Sequence, residues 1–252
     1  MSGGPSRVAL VTGASSGIGA ALARRLVRDG YALGLVARRE SELRALQSEI
    51  TSAGGCAAIA VADVSSRTEM TGAVQKIATE LGPVDLFVGN AGIAGPTRIS
   101  PLNIDDIDRI FAVNVHGLLY GIEAVLPEML ERKSGHIVGI SSVAAYFTFP
   151  GESAYCASKA AVNSFLAGLR GQLAPRGISV TTICPGFIRT PLVKKNKFKM
   201  PFLMEADEAA DRIARAIARR AGVYDFPWQT RMMVAMCNLL PASVLRKMAK
   251  RD

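Results

Sequence analysis

The sequence predicts an α/β fold, one doubly wound parallel sheet with helices on both faces, and three observations carry that prediction. Short apolar runs rich in β-branched residues alternate with amphipathic stretches of helical length. The first run opens directly into a glycine-rich turn. No low-complexity linker or internal repeat interrupts the alternation between Val8 and Phe226, so 252 residues read as a single domain.

The apolar runs cover residues 8–11, 32–37, 57–62, 84–88, 136–140 and 178–183. They show little polar alternation, as strands buried on both faces do. Helical patterning falls between them, at 18–29, 40–53, 67–81, 104–130 and 154–174, with a further helix at 205–221 before a last strand at 223–226. Strand-helix alternation implies right-handed crossovers and a parallel sheet. Ligands of such sheets sit outside the carboxyl ends of the strands, so the residues just past each run are the functional candidates.

Composition narrows the classes. Hydrophobic residues make up 49% and charged residues 20%, which excludes a disordered chain. A net charge of +9 is compatible with nucleic acid, an anionic membrane or a phosphate-bearing ligand. The basic residues cluster at Arg38-Arg39, within 194–199 and within 246–251, with no basic stripe interleaved with aromatics, so nucleic acid is not an expected partner. Cys56, Cys156, Cys184 and Cys237 lack CxxC spacing and read as reduced, mostly buried thiols. His116 and His136 lack partners at ligand spacing, so no metal is expected. Glycines break the first apolar stretch too early for a signal peptide, and no run reaches the roughly 18 apolar residues of a spanning helix, so the expected location is the cytoplasm.

The first strand leads into Thr12-Gly13-Ala14-Ser15-Ser16-Gly17-Ile18-Gly19 and then a helix. Such a turn lets the backbone approach a ligand closely and offers the free N–H groups of the helix start to a pyrophosphate. The bland alternative is a plain glycine turn. The spacing Gly-x-x-x-Gly-x-Gly resembles the glycine motif of the short-chain dehydrogenase/reductase family, classical type, and that resemblance implies a Rossmann-type fold and a nicotinamide cofactor. NAD-selecting relatives end the second strand with an acid, whereas this one ends Val36-Ala37-Arg38-Arg39. A guanidinium there suits a 2′-phosphate, so NADP(H) is the expected cofactor; the alternative is a solvated arginine pair opening the next helix. The resemblance also implies an adenine contact at Asp63-Val64 and a sheet-supporting motif at Asn90-Ala91-Gly92, against bland readings as a helix cap and a loop glycine. It places Pro185, Gly186, Ile188 and Thr190 around the nicotinamide carboxamide.

Tyr155-Cys156-Ala157-Ser158-Lys159 falls on a helical stretch, where positions four apart share a face. A phenol titrating near pH 10 is a poor proton exchanger at neutral pH, and Lys159 together with the positive charge of oxidised nicotinamide is expected to lower it. Resemblance to the family gives Tyr155 the role of general acid/base and lets Lys159 also hold the nicotinamide ribose. Ser142, thirteen residues before Tyr155, matches the family's catalytic serine, and strand alternation turns it opposite to Ser141. Its bland reading is a hydroxyl satisfying the strand end. Asn114 is an amide in an apolar helix; relatives use it to hold a water beside the lysine, while a backbone-satisfying role is equally compatible.

The stretch 191–204, with Lys194, Lys195, Lys197, Phe198, Lys199, Phe202 and Met204, is expected to form a lid over a lipophilic carbonyl or alcohol substrate, with Phe147 and Phe149 on the opposite wall. Its lysines could meet a carrier phosphate, which makes a 3-oxoacyl thioester a candidate; the bland reading is a solvated charge run. Residues 1–227 are therefore read as the catalytic domain and 228–252 as an apolar, basic helical extension. Such a helix needs cover from its own domain, a partner subunit or a membrane interface, the first two being preferred and peripheral membrane contact kept as the alternative. Relatives imply a homo-dimer or homo-tetramer. The competing class of function is a catalytically silent NADPH-binding regulator or scaffold, which has no need of the Ser142, Tyr155 and Lys159 set.

Overall fold

The computed structural model describes residues 7–193 and 200–237. Seven parallel strands form one sheet in the order β3-β2-β1-β4-β5-β6-β7. They are β1 Val8–Thr12, β2 Ala32–Ala37, β3 Ala57–Val61, β4 Val84–Gly89, β5 Gly135–Ile140, β6 Ile178–Pro185 and β7 Val223–Phe226. The helices are α1 Gly17–Arg28, α2 Glu40–Ser52, α3 Arg67–Leu81, α4 Ile104–Phe111, α5 Gly117–Arg132, α6 Ser153–Leu173, α7 Ala206–Ala218 and α8 Trp228–Cys237.

Strand alternation builds two cores. Ala9 and Val11 of β1 face Leu22 and Leu26 of α1, Leu43 and Leu46 of α2 and Ile213 of α7. Val8 and Leu10 face the other layer, with Ile77 of α3, Met129 of α5 and Leu166 of α6. Burying both faces removes a large apolar area from water, at roughly 25 cal/mol per Å², which is why these strands are apolar throughout. The strand order reverses between β1 and β4, and the crevice there is the expected ligand position.

One element differs from the sequence expectation. The helix expected at 104–130 is broken by a π-helical turn, Ala112–His116, centred on Asn114. The Asn114 amide is committed to groups outside its own helix, and an extra residue in the turn is how a helix carries such a commitment. The combined Ile104–Arg132 stretch is long and apolar enough to cross a membrane by length and composition, yet α5 packs against the sheet through Leu118, Ile122 and Met129. In the C-terminal segment, α8 is partly covered by its own chain: Val234 is fully buried with Val143, Phe147 and Cys184. Trp228, Met232 and Met236 remain exposed. The basic residues within 194–199 and 246–251 lie outside the described residues.

Candidate active site

Gly13 and Gly17 adopt φ of +67° and +56°, angles that favour glycine. The need for glycine is also steric: a β-carbon on Gly19 would stand 2.4 Å from the Gly13 carbonyl oxygen and 2.5 Å from Asn90 Nδ2. α1 therefore starts pressed against the ends of β1 and β4. Its N-cap Ser16 makes no side-chain cap, and its first turn carries no acid, which leaves the positive helix end available to an anion. A β-carbon on Gly17 would lie 3.0 Å from Thr190 Cγ2, so the loop after β6 passes over the turn. Ile18 packs partly into the first core.

Asn90 ties the two strands. Its Nδ2 donates to the Thr12 carbonyl at 2.9 Å, while Thr12 Oγ1 accepts from the backbone N–H of Asn90 at 3.0 Å and of Ala91 at 3.1 Å. Beside this, Arg39 Nη2 donates to Ser15 Oγ at 2.9 Å, and Arg38 Nη1 approaches Asp63 Oδ2 at 3.4 Å. Arg39 also pairs with Glu42 at 3.3 Å. Both arginines are half-exposed, and Arg39 meets the glycine turn through Ser15. Asp63 accepts from the N–H and hydroxyl of Ser65 at 2.9 and 2.7 Å. Burial raises its pKa, but those bonds and Arg38 outweigh it and the carboxyl ends below its ordinary value. The helix cap is not Asp63 but Ser66, which accepts from the Glu69 N–H. The Val64 side chain is buried in the second core and only its backbone is free to meet a ligand.

At the other end of the crevice, Tyr155 and Lys159 lie in the first two turns of α6. Lys159 is buried, and its Nζ donates to the carbonyl of Ile140, the last residue of β5, at 2.9 Å. The Ser142 hydroxyl is close enough to the Tyr155 phenol to lower its pKa. Ser141 turns the opposite way and donates to the Lys159 carbonyl at 3.1 Å, as strand alternation predicts. A β-carbon on Gly92 would be 3.5 Å from Lys159 Nζ and 3.4 Å from Asn114 Oδ1, so the loop after β4 closes the space beside both. Asn114 accepts from Ile93 N–H at 2.8 Å and donates to the Ile93 carbonyl and Ser158 Oγ at 2.9 and 3.0 Å, which is the backbone-satisfying role.

With no cofactor bound, burial pushes the Tyr155 phenol up to about 12, against the pull of Ser142. Lys159 Nζ is 5.8 Å from the phenol ring centroid and gives its bond to Ile140. Burial also brings the ammonium down to about 8.

The remaining loop is less open than the sequence suggested. Ile188 is buried and its strand-like bridge to Met204 anchors the end of the 191–204 stretch, so neither side chain lines an open surface. Gly186 N–H donates to the Phe226 carbonyl at 2.7 Å, and Pro185 at the end of β6 accepts from Ser142 Oγ at 3.5 Å. Phe147 is buried under α8 rather than forming a wall, with Phe149 packed edge-on against it. Cys56 is exposed, unlike Cys156 and Cys184. Sequence reading missed Tyr146, Asp225, Thr230 and Arg231. Thr230 Oγ1 is buried beside Gly186 with no hydrogen-bond partner among the described residues. The one available signal was that Arg231 is the sole charge among the described residues of α8, ahead of the apolar run 232–237.

A glycine turn at the switch point, an arginine pair beside it and a Ser-Tyr-Lys group across the crevice define a Rossmann-type nucleotide-binding protein. Residues 7–200 match the short chain dehydrogenase family, and the chain belongs to that family of oxidoreductases. It is 39% identical over 245 residues, 97% of each chain, to an uncharacterized oxidoreductase of Myxococcus xanthus. A variant of actinorhodin polyketide ketoreductase with NADPH superposes with a TM-score of 0.82 at 31% identity, over 90% of this chain and 97% of that one. A short chain dehydrogenase/reductase from Burkholderia phymatum in complex with NAD gives 0.85 at 25% identity, over 93% and 94%.

Proposed function

We propose that this chain is an NADP(H)-dependent oxidoreductase that interconverts a lipophilic carbonyl compound and its secondary alcohol, with Tyr155 as general acid/base. The observation that carries the reading is the meeting of Tyr155, Ser142 and buried Lys159 at the carboxyl edge of β5, across the crevice from the glycine turn. Gly13, Ser15, Ser16, Gly17, Ile18 and Gly19 are the proposed dinucleotide contacts, because the Ser16 side chain does not cap the start of α1, and β-carbons at Gly13, Gly17 and Gly19 would strike Ala91, Asn90, Thr190 and the Gly13 carbonyl. When bound, the nicotinamide supplies or receives the hydride. Tyr155 gives its phenolic proton to the substrate oxygen in reduction and takes it back in oxidation. Ser142 donates a second hydrogen bond to that oxygen as charge develops. Lys159 holds a positive charge nearby, and Asn114 fixes the loop after β4 against it. Asp63, the Val64 backbone, Asn90-Ala91-Gly92, Pro185-Gly186, Ile188 and Thr190 complete the proposed cofactor contacts, within a catalytic domain of residues 1–227.

Activity is tested by NADPH oxidation over aldehydes, cyclic ketones, steroids and 3-oxoacyl thioesters, free and carrier-linked. Turnover with at least one ketone class is expected. Tight NADPH binding without turnover on any of them would mark a silent binding protein instead.

The half-exposed Arg38 and Arg39 are read as the 2′-phosphate site. Replacing both with alanine is expected to raise KM for NADPH roughly ten- to hundredfold, the loss of charge-assisted bonds, with NADH changed by less than about threefold. Equal changes for both cofactors would contradict that assignment.

The apolar groove between α5 and α6, lined by Tyr120, Leu126, Leu130, Phe165 and Leu169, is read as the contact with a second copy. Phe165 is exposed at its edge. Phe165→Glu is expected to turn a dimer or tetramer into smaller species in sedimentation, and a parent that sediments as a monomer at every concentration refutes the reading.

A further inference from the structure

Arg231 joins α8 to the rest of the molecule through a polar cluster. Its Nε donates to Asp225 Oδ2 at 3.0 Å, and its guanidinium lies 4.1 Å from the centroid of the Tyr146 ring. The Tyr146 phenol donates to the other Asp225 oxygen at 2.8 Å and lies 3.4 Å from Cys184 Sγ. Tyr146 ends the 3-10 turn Val143–Tyr146, Asp225 is in β7 and Cys184 in β6, so Arg231 fastens α8 to β7 and to the 3-10 turn, which itself meets β6 through Cys184. Around the cluster Val143, Phe147, Cys184 and Val234 are buried together.

The turn held this way begins at Ser142. Ser142 Oγ accepts from the Ala144 N–H at 3.1 Å and meets the Tyr155 phenol, and four residues later Tyr146 is clamped between Asp225 and Arg231. So short a 3-10 turn has few internal hydrogen bonds, and its orientation is set by what holds its ends. At the first end the chain is tied to β6 by the Ser141 N–H, which donates to the Ile183 carbonyl at 2.7 Å, while the Ser142 hydroxyl itself has only a 3.5 Å bond to the Pro185 carbonyl besides its bond from Ala144. The clamp on Tyr146 anchors the second end. The Arg231–Asp225 pair is partly exposed, where an ion pair adds little stability, so its consequence is geometric.

We infer that Arg231 is a positioning residue: from α8 it fixes Tyr146, and through the turn it places the Ser142 hydroxyl against Tyr155 and the reacting oxygen. The inference rests on the proposed roles of Ser142 and Tyr155. α8 is then part of what sets the catalytic geometry, although it lies outside the 7–200 stretch that matches the family.

A double-mutant cycle tests it, with kcat for ketone reduction measured at saturating NADPH and ketone. Arg231→Ala is expected to lower kcat roughly ten- to hundredfold, the cost of a small misplacement at a reacting group. In a Ser142→Ala background the same change is expected to cost less than about twofold, because the group it positions is gone. Arg231→Lys, which keeps the charge but not the planar fork, is expected to fall between. KM for NADPH should move by less than about twofold throughout. An unchanged kcat, or the same loss in both backgrounds, overturns the inference. Should Arg231→Ala fail to fold, Tyr146→Phe keeps the ring under Arg231 while removing the hydroxyl that meets Asp225 and Cys184, and is expected to give the same background-dependent pattern, smaller in size. The site reading fails separately: it falls if Tyr155→Phe is as active as the parent, whereas a dead Tyr155→Phe beside a fully active Arg231→Ala sinks only the positioning role.

Discussion

Tyr155→Phe is expected to lose roughly two to four orders of magnitude in kcat while binding NADPH as the parent does, because it deletes the proton and almost nothing else. The ring stays on the first turn of α6, and Ser142 keeps its bonds to Ala144 and Pro185. What remains is positioning and one hydrogen bond to the substrate oxygen, which accounts for residual rather than zero turnover. The pH dependence has a definite sign. With the phenol at about 12 in the free chain, raised by burial against the pull of Ser142, the protonated form dominates near neutrality. Carbonyl reduction, which needs that proton, should be flat through neutral pH. Alcohol oxidation, which needs the phenolate, should accelerate as pH rises. Steady-state rates in both directions, alongside NADPH fluorescence titration, check each part.

Lys159→Met is expected to lose on the order of a hundredfold in kcat and, unusually, to gain stability in the cofactor-free protein near pH 7. Lys159 is buried, and burial brings its ammonium from an ordinary 10.5 to about 8. Below pH 8 the lysine is protonated in folded and unfolded chains alike, and burying its charge is a cost. Between pH 8 and 10.5 the unfolded chain keeps a proton that the folded one has released, so stability rises with pH through that window. The rise amounts to roughly 3 kcal/mol and disappears when the methionine cannot titrate. Methionine leaves the Ile140 carbonyl without its partner, which takes back about 1 kcal/mol. Thermal unfolding of both proteins from pH 7 to 10.5 reads this directly. A parent whose stability does not climb relative to the variant across that window refutes the buried-charge account.

The sheet was legible because strands buried on both faces are forced to be continuously apolar, and β2 and β7 fall on the predicted residues. The glycine turn was legible because steric need at Gly13 and Gly19 leaves no other residue type. That Tyr155 and Lys159 share a helix face and that Ser142 turns opposite to Ser141 was legible in the helix and strand periods, while the choice of Ser142 came from its resemblance to the family's spacing. What the sequence hid depends on contacts between distant segments. The π turn at Asn114 follows from a bond to Ile93, 21 residues away, which no local pattern records. The burial of Ile188 and Met204 follows from a bridge between segments 16 residues apart that joins the loop after β6 to the start of α7. Arg231 looked like one more basic residue until β7 and the 3-10 turn were brought beside it. The bond from Lys159 to the Ile140 carbonyl is hidden for the same reason, since it joins α6 to the end of β5.

The central claim, that the Tyr155 phenol passes its proton to an oxygen held by Ser142, is tested most directly in a single turnover. Enzyme preloaded with NADPH is mixed rapidly with excess ketone, and loss of the nicotinamide absorbance is followed for the parent and for Tyr155→Phe. The parent is expected to oxidise its bound NADPH in one fast phase, and the variant to hold NADPH bound and oxidise it at least about a hundredfold more slowly. Equal single-turnover rates in the two proteins would contradict the account.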